Sequence, residues 1–330
     1  MARMAPDLPL CDRVRNSCAR VVAEASLLSI DDSVLDDIAR AMEVDRTPNR
    51  PAVGSALDSA ALDSAALDSA ALTDAETAEA TLTFALDAIN FGSGYHDIVR
   101  KRPGRSGAQT MADALVDYVS WTGPLVPERL QGFTIDDCSQ IFGQELDGGA
   151  IEELMSLFTT ALTDLGEWLE ENNGVAAVLE RANGSAEALA EHLTTMLFYR
   201  DVETHGGKPV AFYKRAQITP ADLARRVRPG LFNDLQRLTA FADNLVPHTL
   251  RVLGAITLDN DLAAAIDAGA LLDPGGRAEV EIRAAGVVCV ERLAASTNSM
   301  AMDVDALLWQ RGQDPVIKRT PRHRSRSVFY

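Results

Sequence analysis

Apolar residues recur at helical spacing along most of this chain, and residues 149–171 give the clearest pattern. One face of that segment carries Ile151, Leu154, Met155, Phe158, Leu162, Leu165, Trp168 and Leu169. Residues that repeat every three or four positions share one side of an α-helix, so this stripe is expected to face the core. The same spacing predicts helices over residues 12–28, 31–43, 81–90, 108–121, 136–142, 175–182, 186–199, 260–268, 276–295 and 302–310. The expected fold class is therefore mainly α, with at most a short β-hairpin.

Residues 210–218, Val-Ala-Phe-Tyr-Lys-Arg-Ala-Gln-Ile, form one of the few strand-like segments. Buried charges are costly without a partner, so Lys214 and Arg215 must find acids, phosphate or solvent. Because side chains alternate across a strand, only one of these two cations can face a pocket. The other is expected to pair with Glu279 or Glu281.

Residues 241–254 are interpreted as a joint between two helices. The incoming helix is indicated by apolar residues at Leu231, Leu235, Leu238 and Phe241. It is expected to end before Pro247, since proline disfavours helical geometry in the preceding residue. Pro247 suits the first turn of the next helix, and Gly254 suits its C-terminal cap. Asp243 lies close to this bend, and on local grounds a helix cap is its simpler interpretation.

Residues 55–72 repeat a Ser-Ala-Ala-Leu-Asp unit with a period of five. This period does not match the turn of an α-helix, so the leucines would wind around a helix instead of forming one stripe. We interpret the segment as a low-complexity insertion with no role in chemistry. The chain of 330 residues is otherwise expected to form a single large helical domain, in which two lobes are possible.

The chain is acidic, with 48 Asp and Glu residues against 31 Lys and Arg residues and a net charge of −17. Proteins that bind long DNA or RNA usually present a basic face. Here basic residues cluster only in the tail, over residues 318–326. A long nucleic acid is therefore not expected as a partner, whereas a small phosphorylated ligand, which needs only a few cations, remains compatible.

Cysteine and histidine spacing offers no metal-binding pattern. Cys11, Cys18, Cys138 and Cys289 form no CxxC pair, and we expect free thiols in a reducing cytoplasm. The five histidines form no HExxH motif, so no metal site is expected. The sequence has no apolar run long enough to span a membrane, and its first residues lack the apolar stretch of a signal peptide. These features predict a cytoplasmic location.

Asp87 and Asn90 are three residues apart at the end of a predicted helix, so they share a helix face. The glycine-containing loop Phe91–His96 follows directly. Two polar side chains beside such a loop can contact the edge of a planar base. An Asn cap before a glycine turn is the alternative interpretation.

Five segments, occurring in order, resemble the queuosine salvage protein family, the queuosine 5′-phosphate N-glycosylase/hydrolases. They are residues 84–91, 210–218, 242–248 with the Leu-Gly pair at 253–254, 279–283 and 322–330. The likeness extends from about residue 10 to residue 330. The chain departs from the family at Asn244, Leu245 and His248, where Tyr, Arg and Gln are usual. It also departs in the Gly-Ser-Gly loop after Phe91, where aromatic residues are common.

The resemblance implies a helical fold similar to helix-hairpin-helix DNA glycosylases. It also implies release of the base queuine from queuosine 5′-monophosphate, with no cofactor, and Asp243 as the catalytic residue. N-glycosidic cleavage passes through an oxocarbenium-like state at the sugar. A carboxylate near the anomeric carbon stabilises that charge and can take a proton from the attacking water.

Further site residues follow from the same expectation. The candidates for contacts to the base are Asp87, Asn90, Phe91, Asp201, Phe241 and His248. The candidates for phosphate and ribose contacts are Lys214 and Arg215, followed by His323, Arg324 and Arg326. The aromatic side chains that can stack on a base are Phe91, Tyr95, Tyr199 and Phe241, with ordinary core packing as the alternative for each.

Two rival functions are compatible with parts of this pattern. A DNA base glycosylase would share the helical fold, but duplex binding depends on basic side chains that this acidic chain lacks. A non-enzymatic helical scaffold fits the composition, but polar residues set in apolar surroundings do not favour it.

Overall fold

The structure, a computed structural model, describes residues 8–45 and 71–330. Most of these residues are helical, which confirms the mainly α fold class. The α-helices of the described residues are α1 Leu10–Glu24, α2 Asp32–Asp45, α3 Asp74–Ala88, α4 Gly107–Thr122, α5 Pro127–Gln131, α6 Ile135–Phe142, α7 Ala150–Glu171, α8 Gly174–Ala182, α9 Ala186–Leu193, α10 Lys214–Arg226, α11 Leu245–Val252, α12 Asn260–Asp267, α13 Arg277–Ser296, α14 Ala301–Arg311 and α15 Pro315–Lys318. The repeat predicted as an insertion lies, over residues 55–70, outside the described residues.

Two short antiparallel ladders accompany the helices. Strand β1 (Leu28–Ile30) pairs with β4 (Ile256–Leu258), with Ser29 opposite Thr257. Strand β2 (Val202–His205) and β3 (Lys208–Ala211) form a hairpin. The hairpin agrees with the prediction, while the β1–β4 pairing joins segments too distant in sequence for local patterns to reveal.

Local sequence explains where several helices begin. Thr73, Ser106 and Thr134 precede α3, α4 and α6, and each belongs to a capping box. In this motif the side chains of the cap and of the third helical residue satisfy each other's free backbone N–H groups. The stripe predicted over residues 149–171 is α7, and its apolar side chains are buried.

Two long helices, α7 and α13, organise the packing. Helix α7 packs against α3, α5 and α6, and α13 packs against α1, α2, α11 and α14. Helix α13 is buried on nearly every side, including its charged residues Glu279, Glu281 and Arg283. Helix α10 packs against α3 and α9. None of the helices in residues 8–45 and 71–330 is long and apolar enough to cross a membrane.

The strand predicted over residues 210–218 is wrong in its second half. Strand β3 ends at Ala211, and Tyr213 adopts φ 51°, in the left-handed region, before α10 begins at Lys214. Lys214 and Arg215 are therefore the first residues of a helix, where consecutive side chains do not alternate between two faces. The expected pairing with Glu279 or Glu281 is also wrong, because Glu279 binds Arg283 and Glu281 binds Arg277.

The incoming helix predicted from Leu231 to Phe241 is wrong as well. Only a 3₁₀ turn, Leu235–Arg237, forms there, and the backbone from residue 238 to Asp243 has no helical structure. Thr239 through Asp243 are buried, and backbone groups of this segment find partners on other elements instead of within a helix. The outgoing helix is confirmed as α11, with Pro247 in its first turn and Gly254 following its end at φ 87°.

The last ten residues, 321–330, form a C-terminal strap that crosses the body of the protein. The carbonyl of Val328 accepts from Arg215 at 2.6 Å, and the carbonyl of Arg324 accepts from the Leu272 amide at 2.8 Å. Phe329 and Tyr330 are buried, so the apolar end of the strap packs on the body of the protein. Gly94 makes this crossing possible, since a Cβ there would lie 2.3 Å from a backbone oxygen of the strap.

Candidate functional site

Asp243 lies at the N-terminus of α11, where its Oδ1 accepts the amide N–H groups of Leu245 and Val246 at 2.9 Å each. The local prediction of a helix cap is therefore correct. Its other carboxylate oxygen, Oδ2, accepts no hydrogen bond from the described residues. Asp243 also keeps 9% of its surface exposed. One oxygen thus fixes the side chain, while the second is left for a ligand.

Burial raises the pKa of Asp243, and the positive charges of Lys214 and Arg322 oppose that shift. The two amides at the end of α11 also favour the anion. The charges of two cations, one from α10 and one from the strap, therefore act on this carboxylate. Such a position combines limited solvent with stabilisation of negative charge.

Lys214 binds the chain just after α3, and its charge also acts on Asp243. Its ammonium donates to the Asn90 carbonyl at 2.9 Å and to the Asn90 side-chain oxygen at 3.1 Å. Burial lowers the Lys214 pKa to about 8, while the charges of Asp243 and Asp87 oppose the shift. An ammonium has three donors, so one remains after the two bonds to Asn90. The structure thus brings Asp87, Asn90, Lys214 and Asp243 together.

Sequence reasoning missed Arg322, although this residue begins the last of the five motifs. The residue as a whole is half-buried, and its guanidinium donates no hydrogen bond within the described part of the chain. Burial lowers its pKa, and the charge of Asp243 raises it. His96 and the exposed Lys101 belong to the same neighbourhood: burial, and then the charges of Arg322, Lys101 and Lys214, lower the His96 pKa to about 3.

Asp87 is a buried carboxyl with an unsatisfied oxygen. It is 2% exposed, and its Oδ2 has no hydrogen-bond partner among the described residues. Burial, reinforced by the neighbouring Asp222, raises its pKa well above the usual value, while Lys214 lowers it. A carboxyl in such surroundings tends to keep its proton.

Arg215 has a structural role. It is 1% exposed and donates to the carbonyl oxygens of Ala88, Phe198 and Val328. The centre of its guanidinium also lies 4.8 Å from the ring centroid of Phe91. Phe91 in turn packs edge-on against Phe158, with centroids 5.1 Å apart. These contacts place Arg215 and Phe91 in the core between α3, α7 and the strap.

Asp201 is occupied by a buried ion pair. Its two oxygens accept from Arg283 at 3.1 and 2.6 Å, and one of them also accepts the Lys214 amide at 3.3 Å. Arg283 donates further to Glu279 and to the carbonyl of Ala242 at 2.9 Å. The pair therefore fixes the start of α10 and the residue before Asp243.

His248 and His323 are both buried and each has one ring nitrogen without a partner among the described residues. Burial lowers the pKa of His248 to about 4 and that of His323 to about 3, so both are neutral at neutral pH. Asn244, one of the departures from the family, donates to the His323 carbonyl at 3.0 Å and to the Ser93 hydroxyl at 3.0 Å.

The remaining candidates lie in other contacts. The guanidinium of Arg326, which is exposed, lies 5.1 Å from the ring centroid of Tyr95, and Arg324 pairs with Asp97. Phe241 is buried, and its amide donates to Asp305 at 3.0 Å. No cluster of His, Cys, Asp or Glu suited to a metal ion occurs in residues 8–45 and 71–330. All four cysteines are free and buried, as predicted.

Comparison with known proteins gives a consistent result. The family described as queuosine salvage protein matches residues 71–330. A queuosine 5′-phosphate N-glycosylase/hydrolase from Sphaerobacter thermophilus is 34% identical over 268 residues, which cover 77% of this chain and 82% of the relative. Relatives with the same name from Dictyostelium discoideum and Bos taurus are each 33% identical, over 62% and 51% of this chain. The matches span 65% and 56% of those two proteins, somewhat less than two thirds.

Proposed function

The chain belongs to the queuosine salvage protein family, and from this premise we propose that it hydrolyses the N-glycosidic bond of queuosine 5′-monophosphate and releases queuine. The observation that carries the proposal is the arrangement of Asp243. One carboxylate oxygen is fixed by the N-terminus of α11, the other is unpaired within the described residues, and the charges of two cations act on the group.

Asp243 acts at the anomeric carbon in this proposal. As the bond to the base breaks, positive charge develops on the sugar, and a fixed carboxylate stabilises that charge more than it stabilises the neutral substrate. The same oxygen, Oδ2, takes the proton of the water that attacks the sugar. Lys214 and Arg322 support the reaction by keeping Asp243 ionised, since their charges lower its pKa.

The 5′-phosphate is bound by Lys214 and Arg322 in this proposal. Lys214 has one donor left after its bonds to Asn90, and the guanidinium of Arg322 has none of its donors engaged within the described residues. A guanidinium can bind phosphate through two parallel hydrogen bonds. The exposed Lys101 adds a further positive charge in the neighbourhood of Arg322 and His96. Arg215 is the weaker candidate, because it is 1% exposed and three backbone carbonyls already accept from its two terminal nitrogens.

Asp87 and Asn90 are the leading candidates for contacts to the base, since Asn90 accepts from Lys214 and the charge of Lys214 acts on both Asp87 and Asp243. The unpaired Oδ2 of Asp87 suits a polar edge of the ligand. Contacts of Phe91, Asp201, Phe241 and His248 with the base remain predictions. Asp201 would have to share its carboxylate with Arg283.

The test is to incubate the protein with queuosine 5′-monophosphate and to measure free queuine by chromatography. Asp243→Asn is the decisive variant, because asparagine still caps α11 but carries no charge. We expect kcat/KM to fall at least about 100- to 1,000-fold, the cost of removing one group that stabilises transition-state charge.

Asp259→Asn is the matched control. Asp259 caps α12 by accepting the amides of Asp261 and Leu262, in the same manner as Asp243 caps α11. It should leave queuine release unchanged. No release by the wild-type protein, or full release by Asp243→Asn, would rule out the proposed role.

A further inference from the structure

Asp305 is a buried carboxyl that contacts the segment carrying Asp243. It lies on α14, is 5% exposed, and accepts the amide N–H of Phe241 at 3.0 Å. Phe241 precedes Asp243 by two residues, in the stretch that connects to α11 without helical structure. The carbonyl of Ala242 is held from the other side by Arg283 at 2.9 Å. Two buried side chains, Arg283 from α13 and Asp305 from α14, thus hold the backbone of the two residues that precede Asp243.

Charged groups around Asp305 determine which of the two carboxyls bears the negative charge. Asp243, before α11, and Lys214 and Arg225, from α10, act on Asp305. Burial and then the charge of Asp243 raise the Asp305 pKa well above its usual value. Arg225 is shared, since it also pairs with Asp222 at 3.3 Å and with Asp303 at 4.0 Å.

Asp243 has the more favourable surroundings for charge. It is flanked by Lys214 and Arg322 and accepts two amides from the N-terminus of an eight-residue helix. Asp305 accepts one amide and shares its nearest cations. Two neighbouring buried carboxyls cannot both ionise without a large cost, so their surroundings assign the proton.

We propose that Asp305 is a positioning residue for Asp243: as a neutral carboxyl it holds the Phe241 amide in place, so that the pair carries a single negative charge, on Asp243. This inference rests on the proposed function of Asp243, but it can be tested separately. Asp305 needs no contact with substrate. It holds the backbone of residues 241–243 in place, and because it stays neutral it leaves the negative charge of the pair on Asp243.

Asp305→Asn and Asp305→Ala separate the two parts of this role. Asparagine is permanently neutral and keeps the oxygen that accepts the Phe241 amide, whereas alanine removes that oxygen. We expect kcat/KM of Asp305→Asn to stay within about threefold of wild type, with the acid limb of its pH profile unmoved. We expect Asp305→Ala to lose about 10- to 100-fold in kcat with little change in KM, because misplacement of a reacting group acts on the chemical step.

A melting experiment tests the neutral carboxyl without relying on activity or on the folding of the alanine variant. A carboxyl whose pKa is raised on folding binds more protons in the folded state, so it contributes stability that is lost as pH rises. The melting temperature of wild type minus that of Asp305→Asn should therefore decrease as pH rises from about 4 to about 8.

The outcomes are distinct. Loss of activity by Asp305→Asn as large as that of Asp305→Ala would overturn the inference, as would an acid limb displaced to lower pH by about half a unit or more, since either result means that Asp305 carries charge. The inference would also be overturned if the difference in melting temperature between wild type and Asp305→Asn did not change with pH. If the melting difference falls as expected while wild type releases no queuine, the proposed function fails and the neutral state of Asp305 stands.

Discussion

Replacing Arg283 with methionine removes the cation shared by two buried carboxylates behind the candidate site. Asp201 and Glu279 are each 1% exposed, and Arg283, which is fully buried, donates to both. It also lies 4.0 Å from the ring centroid of Phe212. Methionine preserves much of the volume but leaves the carboxylates without their partner.

The magnitude follows from the burial. Breaking a buried ion pair by removing one partner costs about 3–5 kcal/mol, because the other charge stays buried. The stranded carboxyl can escape by taking up a proton. Relative to the unfolded chain, in which an aspartate has a pKa of about 3.9, taking up this proton costs about 4 kcal/mol at pH 7. This cost agrees with the figure for a broken ion pair. Glu279 adds little to the free-energy cost of removing Arg283, since burial has already raised the pKa of Glu279 to about 7. At pH 5 the same proton costs only about 1.5 kcal/mol.

Thermal unfolding followed by circular dichroism measures this effect. For a chain of this size each kcal/mol corresponds to about 2 °C, so Arg283→Met should melt roughly 6–10 °C below wild type at pH 7. The gap should narrow to about 3 °C at pH 5. The double variant Asp201→Asn with Arg283→Met should recover part of the loss. A gap under 2 °C at pH 7, or one that does not depend on pH, would refute the reasoning.

Three further predictions concern the site and the strap. Lys214→Met should raise the acid limb of the kcat/KM profile by about one pH unit or more, because the lysine charge lowers the pKa of Asp243 and its removal makes ionisation require a higher pH. Arg322→Ala should raise KM about 10- to 100-fold for the 5′-monophosphate in the queuine-release assay, and should affect the unphosphorylated nucleoside much less. Gly94→Ala would place a Cβ 2.3 Å from a backbone oxygen of the strap and should lower the melting temperature by a few degrees, whereas Gly132→Ala, whose Cβ would meet nothing closer than 3.4 Å, should not.

Much of the helical framework could be predicted because its signals are local. Helix α7 has an uninterrupted apolar stripe, and α3, α4 and α6 begin at side chains that cap them. The failures occurred where tertiary contacts decide the backbone. Residues 238–243 have helical apolar spacing, but their amides and carbonyls bind Gln217, Asp305 and Arg283, and these partners replace a helical ladder.

Local motifs pointed to some residues of the candidate site, whereas the surroundings of other residues depend on the folded path of the chain. Asp243, Asn90 and Lys214 were identified from their motifs, and the structure places them together. Arg322 was overlooked because it stands among several arginines in the strap, and only the folded path of the strap distinguishes it. Arg215 has the residue type that phosphate binding favours, but its neighbours are backbone carbonyls, which composition cannot indicate.

The two amides that hold Oδ1 of Asp243 have a consequence for how the proposed reaction responds to temperature. A carboxylate held at one oxygen cannot rotate about its Cβ–Cγ bond, so its rotational freedom is lost when the chain folds and not when substrate arrives. Ordering of this group therefore adds little to the activation entropy of bond cleavage. The cap of a single helix thus removes one entropic contribution from the barrier of the proposed reaction.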